Sequence, residues 1–243
     1  MTPAEKLTQI AENIPKVYEA GKNAAYDAFW DAYQQNGERV NYHTGFAGRG
    51  WNEHTFRPKY DIKPTNAYMM FYQLEQDANI DLVKTAEDQG IEFDFCNCTN
   101  FTYAFYAYGI TRLGVIDTRA ANGFFQFAGS NTTLRTIEKL ILKDDGTQTI
   151  SNESWFLPTG LVNITIEGKL GASVRCVAKG MTKKSIQSFI SSLYEESVGK
   201  TLTLSKVAVD REFETAAGLD DGTSSTEWDE IINTKPNWTI SLV

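Results

Sequence analysis

The chain has 243 residues, of which 42% are hydrophobic and 22% are charged, a composition typical of a globular protein. Its 23 basic and 31 acidic residues give a net charge of -8, which argues against nucleic acid or an anionic membrane as a partner, since both reward clustered Lys and Arg. No apolar run approaches the ~18 residues that a membrane-spanning helix needs.

The N-terminal region, residues 1–37, is predicted to be a helical arm that ends at Gly37. Apolar and small residues recur along it at alternating steps of four and three, which is a heptad seam. The seam residues are Ile10, Ile14, Val17, Gly21, Ala24 and Ala28. Pro15 interrupts the pattern, so we expect two helices or a kink near residues 13–15.

Two interpretations of the arm remain open. It packs on the end of the following domain and caps it, or it serves attachment or oligomerisation. The same segment has mixed charge and lacks the basic start and apolar core of a signal peptide. We therefore expect the protein to fold in a cytoplasm, or to leave the cell without a cleaved leader.

The second region, residues 38–243, contains seven short β-like cores at regular spacing. They are residues 60–62, 93–95, 115–117, 140–142, 164–166, 202–204 and 239–243. From the second core to the fifth the steps are 22, 25 and 24 residues, and the last two steps are 38 residues each. Gaps of this length leave room for a return path and so favour parallel pairing over hairpins.

An aromatic residue follows three of these cores nine or ten residues later, at Phe71, Phe105 and Phe125. The segments around such residues resemble one another. They read YHTGFAG at 42–48, AYMMFYQ at 67–73, TYAFYAY at 102–108 and GFFQFAG at 123–129. The recurrence predicts an α/β solenoid with one parallel β-sheet and irregular or helical return segments. An ordinary α+β domain with accidental spacing is the alternative.

The longer intervals at 182–243 are predicted to hold helix-bearing C-terminal repeats. Apolar residues at helical spacing follow Thr182, a plausible N-cap, and the helix is expected to run to Gly199. A second helix is predicted to open with a capping box formed by Ser224 and Glu227. A final strand with polar residues is then predicted to cap the C-terminal end of the solenoid.

Motifs of catalysis are scarce. His43 and His54 lie in one loop-like stretch, but their spacing is not that of a known metal site. Cys96 and Cys98 are interpreted as buried thiols at a corner of the fold. We therefore expect no catalytic residue, no metal and no cofactor.

Aromatic side chains provide the remaining candidates for a binding site. Rings on loops above a rigid scaffold suit recognition of carbohydrate or protein. The candidate residues are Trp51, Tyr103, Tyr106, Tyr108 and Trp155. The alternative is that the rings fill the core, which we favour for the phenylalanines.

The segment DFCNCTNFTYAFYAYGITRLGVIDT at 94–118 resembles the bacterial surface-antigen type of leucine-rich repeat, and NAYMMFYQ at 66–73 is similar to a step of that repeat. The resemblance covers about residues 40–168. It implies a leucine-rich-repeat-like solenoid.

The whole chain also resembles small repeat proteins encoded among the tail and baseplate genes of phages and prophages of Gram-positive gut bacteria. The segments that carry this resemblance are TPAEKLTQIAENIPKVYEAGK, YDIKPTNAYMMF and WDEIINTKPNWTISLV. It implies a non-enzymatic virion protein that binds other virion proteins, or a glycan or protein of the host surface.

Three alternatives remain open at this point. The protein is a purely structural assembly component, or a glycan-degrading tail enzyme with Asp94 and Asp117 as candidate acids. In location, the alternative to the virion is the bacterial cytoplasm or the cell surface without a leader.

Overall fold

The computed structural model describes residues 2–48, 50–106, 108–121, 126–129, 131–148, 158–214 and 226–243. Within these ranges the protein is mixed α/β, with five α-helices and two parallel β-sheets. The helices are α1 (Pro3–Tyr33), α2 (Leu82–Gln89), α3 (Lys183–Ser192), α4 (Lys206–Phe213) and α5 (Thr226–Asn233). The strands are β1 (Ile80–Asp81), β2 (Ile110–Asp117), β3 (Thr136–Ile141), β4 (Asn163–Glu167), β5 (Val174–Cys176), β6 (Lys200–Leu204) and β7 (Trp238–Leu242). None of the described helices is both long and apolar enough to cross a membrane.

Helix α1 runs without interruption through Pro15, so the expectation of two separate helices is wrong. Its start is fixed by a capping box, in which the Thr2 side chain accepts from the amide of Glu5 while the Glu5 carboxylate accepts from the amide of Thr2. Pro15 removes a single helical hydrogen bond at an exposed position, and the helix persists on both sides of it. The helix ends at Tyr33, and a short 3-10 turn then leads to Gly37.

The first sheet has the order β1-β2-β3-β4, with every pair parallel. The predicted cores at 115–117, 140–142 and 164–166 lie in or at the end of β2, β3 and β4, and their parallel pairing is confirmed. The buried residues Ile116, Leu140 and Ile166 lie in one register across these strands. Before this sheet, Ile62 and Phe93 form only an isolated parallel bridge.

A second sheet, β5-β6-β7, is also parallel throughout, so the expectation of one sheet is wrong. Helix α3 lies beside β4, where a further strand would otherwise pair. The amide of Ile164 donates to Ser185 Oγ at 3.0 Å, and the amide of Ile166 donates to Ser188 Oγ at 2.7 Å. Serine hydroxyls of a helix thus satisfy strand amides, and β6 pairs with β5 instead of β4.

Helix α3 follows Thr182 as predicted, but it stops at Ser192 and not at Gly199. Leu193 takes an extended conformation, with φ -63° and ψ 128°, and forms a parallel bridge with Leu170. The predicted cap residue Ser224 lies outside the described residues.

The return segments that resemble one another also lie side by side. The amide of Phe46 donates to Met70 O at 2.7 Å, and that of Phe71 donates to Ala104 O at 2.8 Å. The rings of Phe46, Phe71 and Phe105 form a buried column, with centroids 5.1 and 5.7 Å apart. Phe125 lies outside the described residues.

Candidate binding surface

Trp51 belongs to a ring cluster at the point where the end of α1 meets the first turns of the following chain. Its ring centroid lies 5.2 Å from Trp30, 5.8 Å from Phe46 and 6.0 Å from Phe56. The side chain is half-buried in this packing. Its geometry is therefore that of a residue that anchors α1, and it lies apart from the tyrosines discussed next.

Five aromatic residues form a continuous surface on the stacked return segments, which we call the tyrosine face. Its members are His43, Tyr68, Tyr72, Tyr103 and Tyr106. His43 stacks on Tyr68 at 4.8 Å, and Tyr72 stacks on Tyr106 at 5.5 Å. His43 is exposed and the four tyrosines are half-buried, so ring surface remains accessible to a ligand.

Tyr103 joins the two stacks into one surface. Its ring centroid lies 6.4 Å from that of Tyr68, 5.9 Å from Tyr72 and 5.3 Å from Tyr106, edge-on in each case. Edge-to-face and stacked pairs at these separations are favourable arrangements of aromatic rings. The rings therefore support one another in their positions.

The conformation of the turns explains why these rings face outward together. Each turn starts with an asparagine whose side-chain oxygen accepts a backbone amide two residues on, at Asn41, Asn66 and Asn100. Met69 and Tyr103 then take left-handed conformations, with φ of 52° and 55°. Because equivalent turns lie one parallel step apart, equivalent side chains stack.

The charge distribution distinguishes the tyrosine face from the outer surface of the first sheet. On the sheet, Arg112 pairs with Glu138, and Lys139 pairs with Glu167 at 3.0 Å. Each ion pair joins two neighbouring strands, and its two charges neutralise each other. The five members of the tyrosine face are four tyrosines and one histidine, so they offer aromatic rings, hydroxyl groups and an imidazole.

Tyr108, another predicted binding residue, also lies apart from this surface. Tyr108 is 41% exposed and bridges Leu74, and no ring among the described residues contacts it. Trp155 lies outside the described residues. Tyr68 and Tyr72 were not predicted, and His43 was considered only as a metal ligand, although their place in the recurring segments was a signal that could have identified all three as surface residues.

The prediction that Cys96 and Cys98 are both buried is half wrong, because Cys98 is buried and Cys96 is exposed. The chain turns after Phe95, whose carbonyl accepts from the amide of Cys98, and this turn ends the strand-like alternation. Burial raises the pKa of the Cys98 thiol to about 11 and that of Cys176 to about 12. A hydrogen bond to Asp94 raises the pKa of the Cys96 thiol. All three thiols are therefore protonated at neutral pH.

The two candidate acids have structural partners. Asp94 accepts from the amide and the thiol of Cys96, at 2.9 and 3.4 Å. Both oxygens of Asp117 accept from the guanidinium of Arg119, at distances from 2.7 to 3.2 Å. Partial burial raises the pKa of Asp117, but the bonds from Arg119 lower it more, so it lies below the ordinary value. A general acid needs the opposite shift.

No group of three His, Cys, Asp or Glu side chains comes together among the described residues in a way that could hold a metal ion. Comparison of the chain with protein-family models, with curated proteins and with solved structures found no match.

Proposed function

We propose that the protein is a non-enzymatic binding protein, and that the tyrosine face is its ligand-binding surface. The observation that supports this is the continuous set of accessible, mutually stacked rings on three adjacent segments. Tyrosines lose little side-chain entropy on binding and are enriched among residues that dominate interface energies. The ligand chemistry that suits such a surface is a glycan or a protein segment with few charges.

The proposal includes a leucine-rich-repeat-like solenoid as the scaffold. The parallel sheet β1-β4 and the side-by-side return segments support this interpretation, since a solenoid places equivalent residues of successive coils next to one another. A ligand surface on such a scaffold gains contact area at little ordering cost.

For biological context we propose a component of a phage tail or baseplate that engages the host surface. This rests on the resemblance of three segments of the sequence and on no contact in the structure. The main rival is a purely structural assembly protein with no ligand outside its own particle. The engagement of Asp94 and Asp117 in other hydrogen bonds speaks against the glycan-degrading alternative.

The test is binding of the purified chain to glycan arrays and to host cells, with variants that remove rings from the tyrosine face. We expect Y72A/Y106A to weaken binding by about tenfold or more, since aromatic anchors typically contribute about 1–2 kcal/mol or more each. Y72F/Y106F keeps the rings and separates stacking from hydrogen bonding. Thermal unfolding of each variant establishes that it is folded at the assay temperature.

Y108A is the matched control, because Tyr108 is an exposed tyrosine outside the cluster. It should bind like the wild type. Equal loss of binding in Y108A and Y72A/Y106A would refute the assignment of the surface. A wild-type chain that binds neither glycans nor cells would refute the binding function and favour assembly. Release of reducing ends from host polysaccharide would instead identify an enzyme.

A further inference from the structure

The N-terminal half of α1 carries an apolar face that no other part of the described structure covers. Leu7, Ile10, Ile14 and Val17 are 67%, 56%, 62% and 70% exposed, and Tyr18 beside them is 69% exposed. Isolated helices gain little stability from propensity alone, and an amphipathic face is normally buried against a partner. The face therefore needs an occupant.

The same face continues toward the body of the protein as a row of small residues, Gly21, Ala24 and Ala28, which are all exposed. The body contacts a different side of the helix, through residues such as Trp30. The heptad seam is thus unobstructed from Leu7 to Ala28, a length of about 32 Å at 1.5 Å per residue. Its side chains change from large at the N-terminal end to small near the body.

We propose that the occupant is a second copy of this chain, bound antiparallel so that the two helices form a symmetric pair. In that arrangement the outer layers pair a large residue of one copy with a small residue of the other, and the two middle layers pair two β-branched side chains of similar size. The facing pairs are Leu7 with Ala24, Ile10 with Gly21, and Ile14 with Val17. Each pair occurs twice because of the two-fold symmetry.

This register also fits the residues that flank the seam. Along the helix axis, Lys6 of one copy lies about two residues, or ~3 Å, from Asp27 of the other copy. Tyr18 lies beside Ala11 of the second copy, again large against small. The side of the helix away from the seam carries Glu12, Glu19 and Pro15, so Pro15 does not interfere with packing of the second copy.

A parallel pair fits less well. It would place Leu7 against Leu7 and Gly21 against Gly21, so the layers would differ widely in volume along the seam. Lys6 and Asp27 would lie at opposite ends and would not meet. Both copies would also bring their bodies, residues 34–243, to the same end of the pair, beside the small residues where the helices approach most closely.

The first experiment is sedimentation velocity on the full-length chain over a range of concentrations. A reducing agent is included because Cys96 is an exposed thiol. We expect a species with twice the 27.2 kDa mass of the chain. A monomer at every concentration would overturn the proposal and leave the face for a different protein. A trimer or larger assembly would also overturn it.

The second experiment tests the orientation with charge reversals. In K6E and in D27K, each homodimer would place like charges at both ends of the seam, so each variant should dimerise at least about tenfold more weakly. An equimolar mixture of the two should recover association, because both ends then pair opposite charges. A mixture that associates no better than its components would refute the antiparallel register.

Asp27 also lies near Lys59 within one chain, so unfolding curves of D27K are needed to separate an effect on the monomer. A disulfide test is independent of charge. In a C96S background, I10C mixed with G21C should form the mixed disulfide under mild oxidation. Disulfide formation by I10C with itself, at equal or greater yield, would indicate a parallel pair and contradict the proposal.

Discussion

The contact between α3 and β4 predicts that replacing a serine of α3 by alanine lowers stability where the serine accepts a strand amide, and does not lower it at a neighbouring serine that accepts none. Ser185 and Ser188 accept the amides of Ile164 and Ile166, which would otherwise lack a partner at the edge of the first sheet. Replacing either serine by alanine removes the acceptor and leaves a strand amide unsatisfied. Such a loss costs about 1–3 kcal/mol.

The same substitution also favours the helix, because alanine has the higher helix propensity by about 0.5 kcal/mol. The net expectation for S185A and for S188A is therefore a destabilisation of about 1–2 kcal/mol. Ser185 is 2% exposed and sits against β4, so water cannot easily replace the lost hydroxyl.

Ser191 is the matched control on the same helix. It is exposed, and the one acceptor of its hydroxyl within the described ranges is the carbonyl of Ser188. S191A keeps the gain in propensity without losing a strand partner, so it should be neutral or stabilise by up to about 0.5 kcal/mol.

Urea unfolding followed by circular dichroism measures all three variants, with thermal midpoints as a second readout. For a chain of this size 1 kcal/mol shifts the midpoint by about 2–4 °C. S185A and S188A should unfold earlier than the wild type, and S191A should not. If all three variants behave alike, the serines do not serve as acceptors for β4, and the explanation for the end of the first sheet fails.

Two further predictions concern the core and an ion pair. F71A removes a fully buried ring from the column with Phe46 and Phe105, and it should lower the free energy of unfolding in urea by about 3–5 kcal/mol. V198A changes a side chain that is 74% exposed, so its free energy of unfolding should stay within about 0.5 kcal/mol of the wild type. Equal effects of the two variants would contradict the burial of the column. D117N should cost about 1 kcal/mol at pH 7. Because the pKa of Asp117 is lowered in the folded state, its contribution is complete above the ordinary carboxyl pKa of about 4 and is lost as pH falls through the lower folded value. The gap between D117N and the wild type should therefore close below pH 4, and a gap that persists at pH 2 would exclude this linkage.

Period-two apolar patterns predicted most of the strands of the fold. The segments at 115–117, 202–204 and 239–243 all lie in parallel strands. In the first two the apolar residues Ile116, Leu202 and Leu204 are buried, and in the third Ile240 and Leu242 are partly buried against the core. Strand β5 was not predicted, because Val174–Cys176 spans only three residues and its apolar–polar–apolar pattern is too short to identify a strand.

Pairing between distant segments could not be derived in the same way. Spacing alone placed β6 beside β4. The hydroxyls of Ser185 and Ser188 decide instead which element borders β4, and this could not be predicted because a serine on a helix ordinarily faces solvent.

Helix α2 was not predicted although its sequence has signals at both ends, since Asp81 caps its start and Gly90 ends it in a left-handed conformation.

The candidate site was predicted in part. Tyr103 and Tyr106 were identified from aromatic crowding, and the structure brings them together with Tyr68 and Tyr72. What the sequence could not provide was the direction of each side chain within a turn. That direction depends on the left-handed residue at Met69 and Tyr103, and a non-glycine residue at positive φ has no clear sequence signal.

Because α3 stands at the edge of β4, the backbone hydrogen bonds of β1-β4 end there and do not continue into β5-β7. A fluctuation that opens β7 can extend through β6 and β5 without breaking any backbone hydrogen bond between the strands of the first sheet. Amide protons of the two sheets should then exchange with deuterated solvent as two cooperative units, each with its own opening free energy. The helix would thus limit how far local unfolding spreads along the chain.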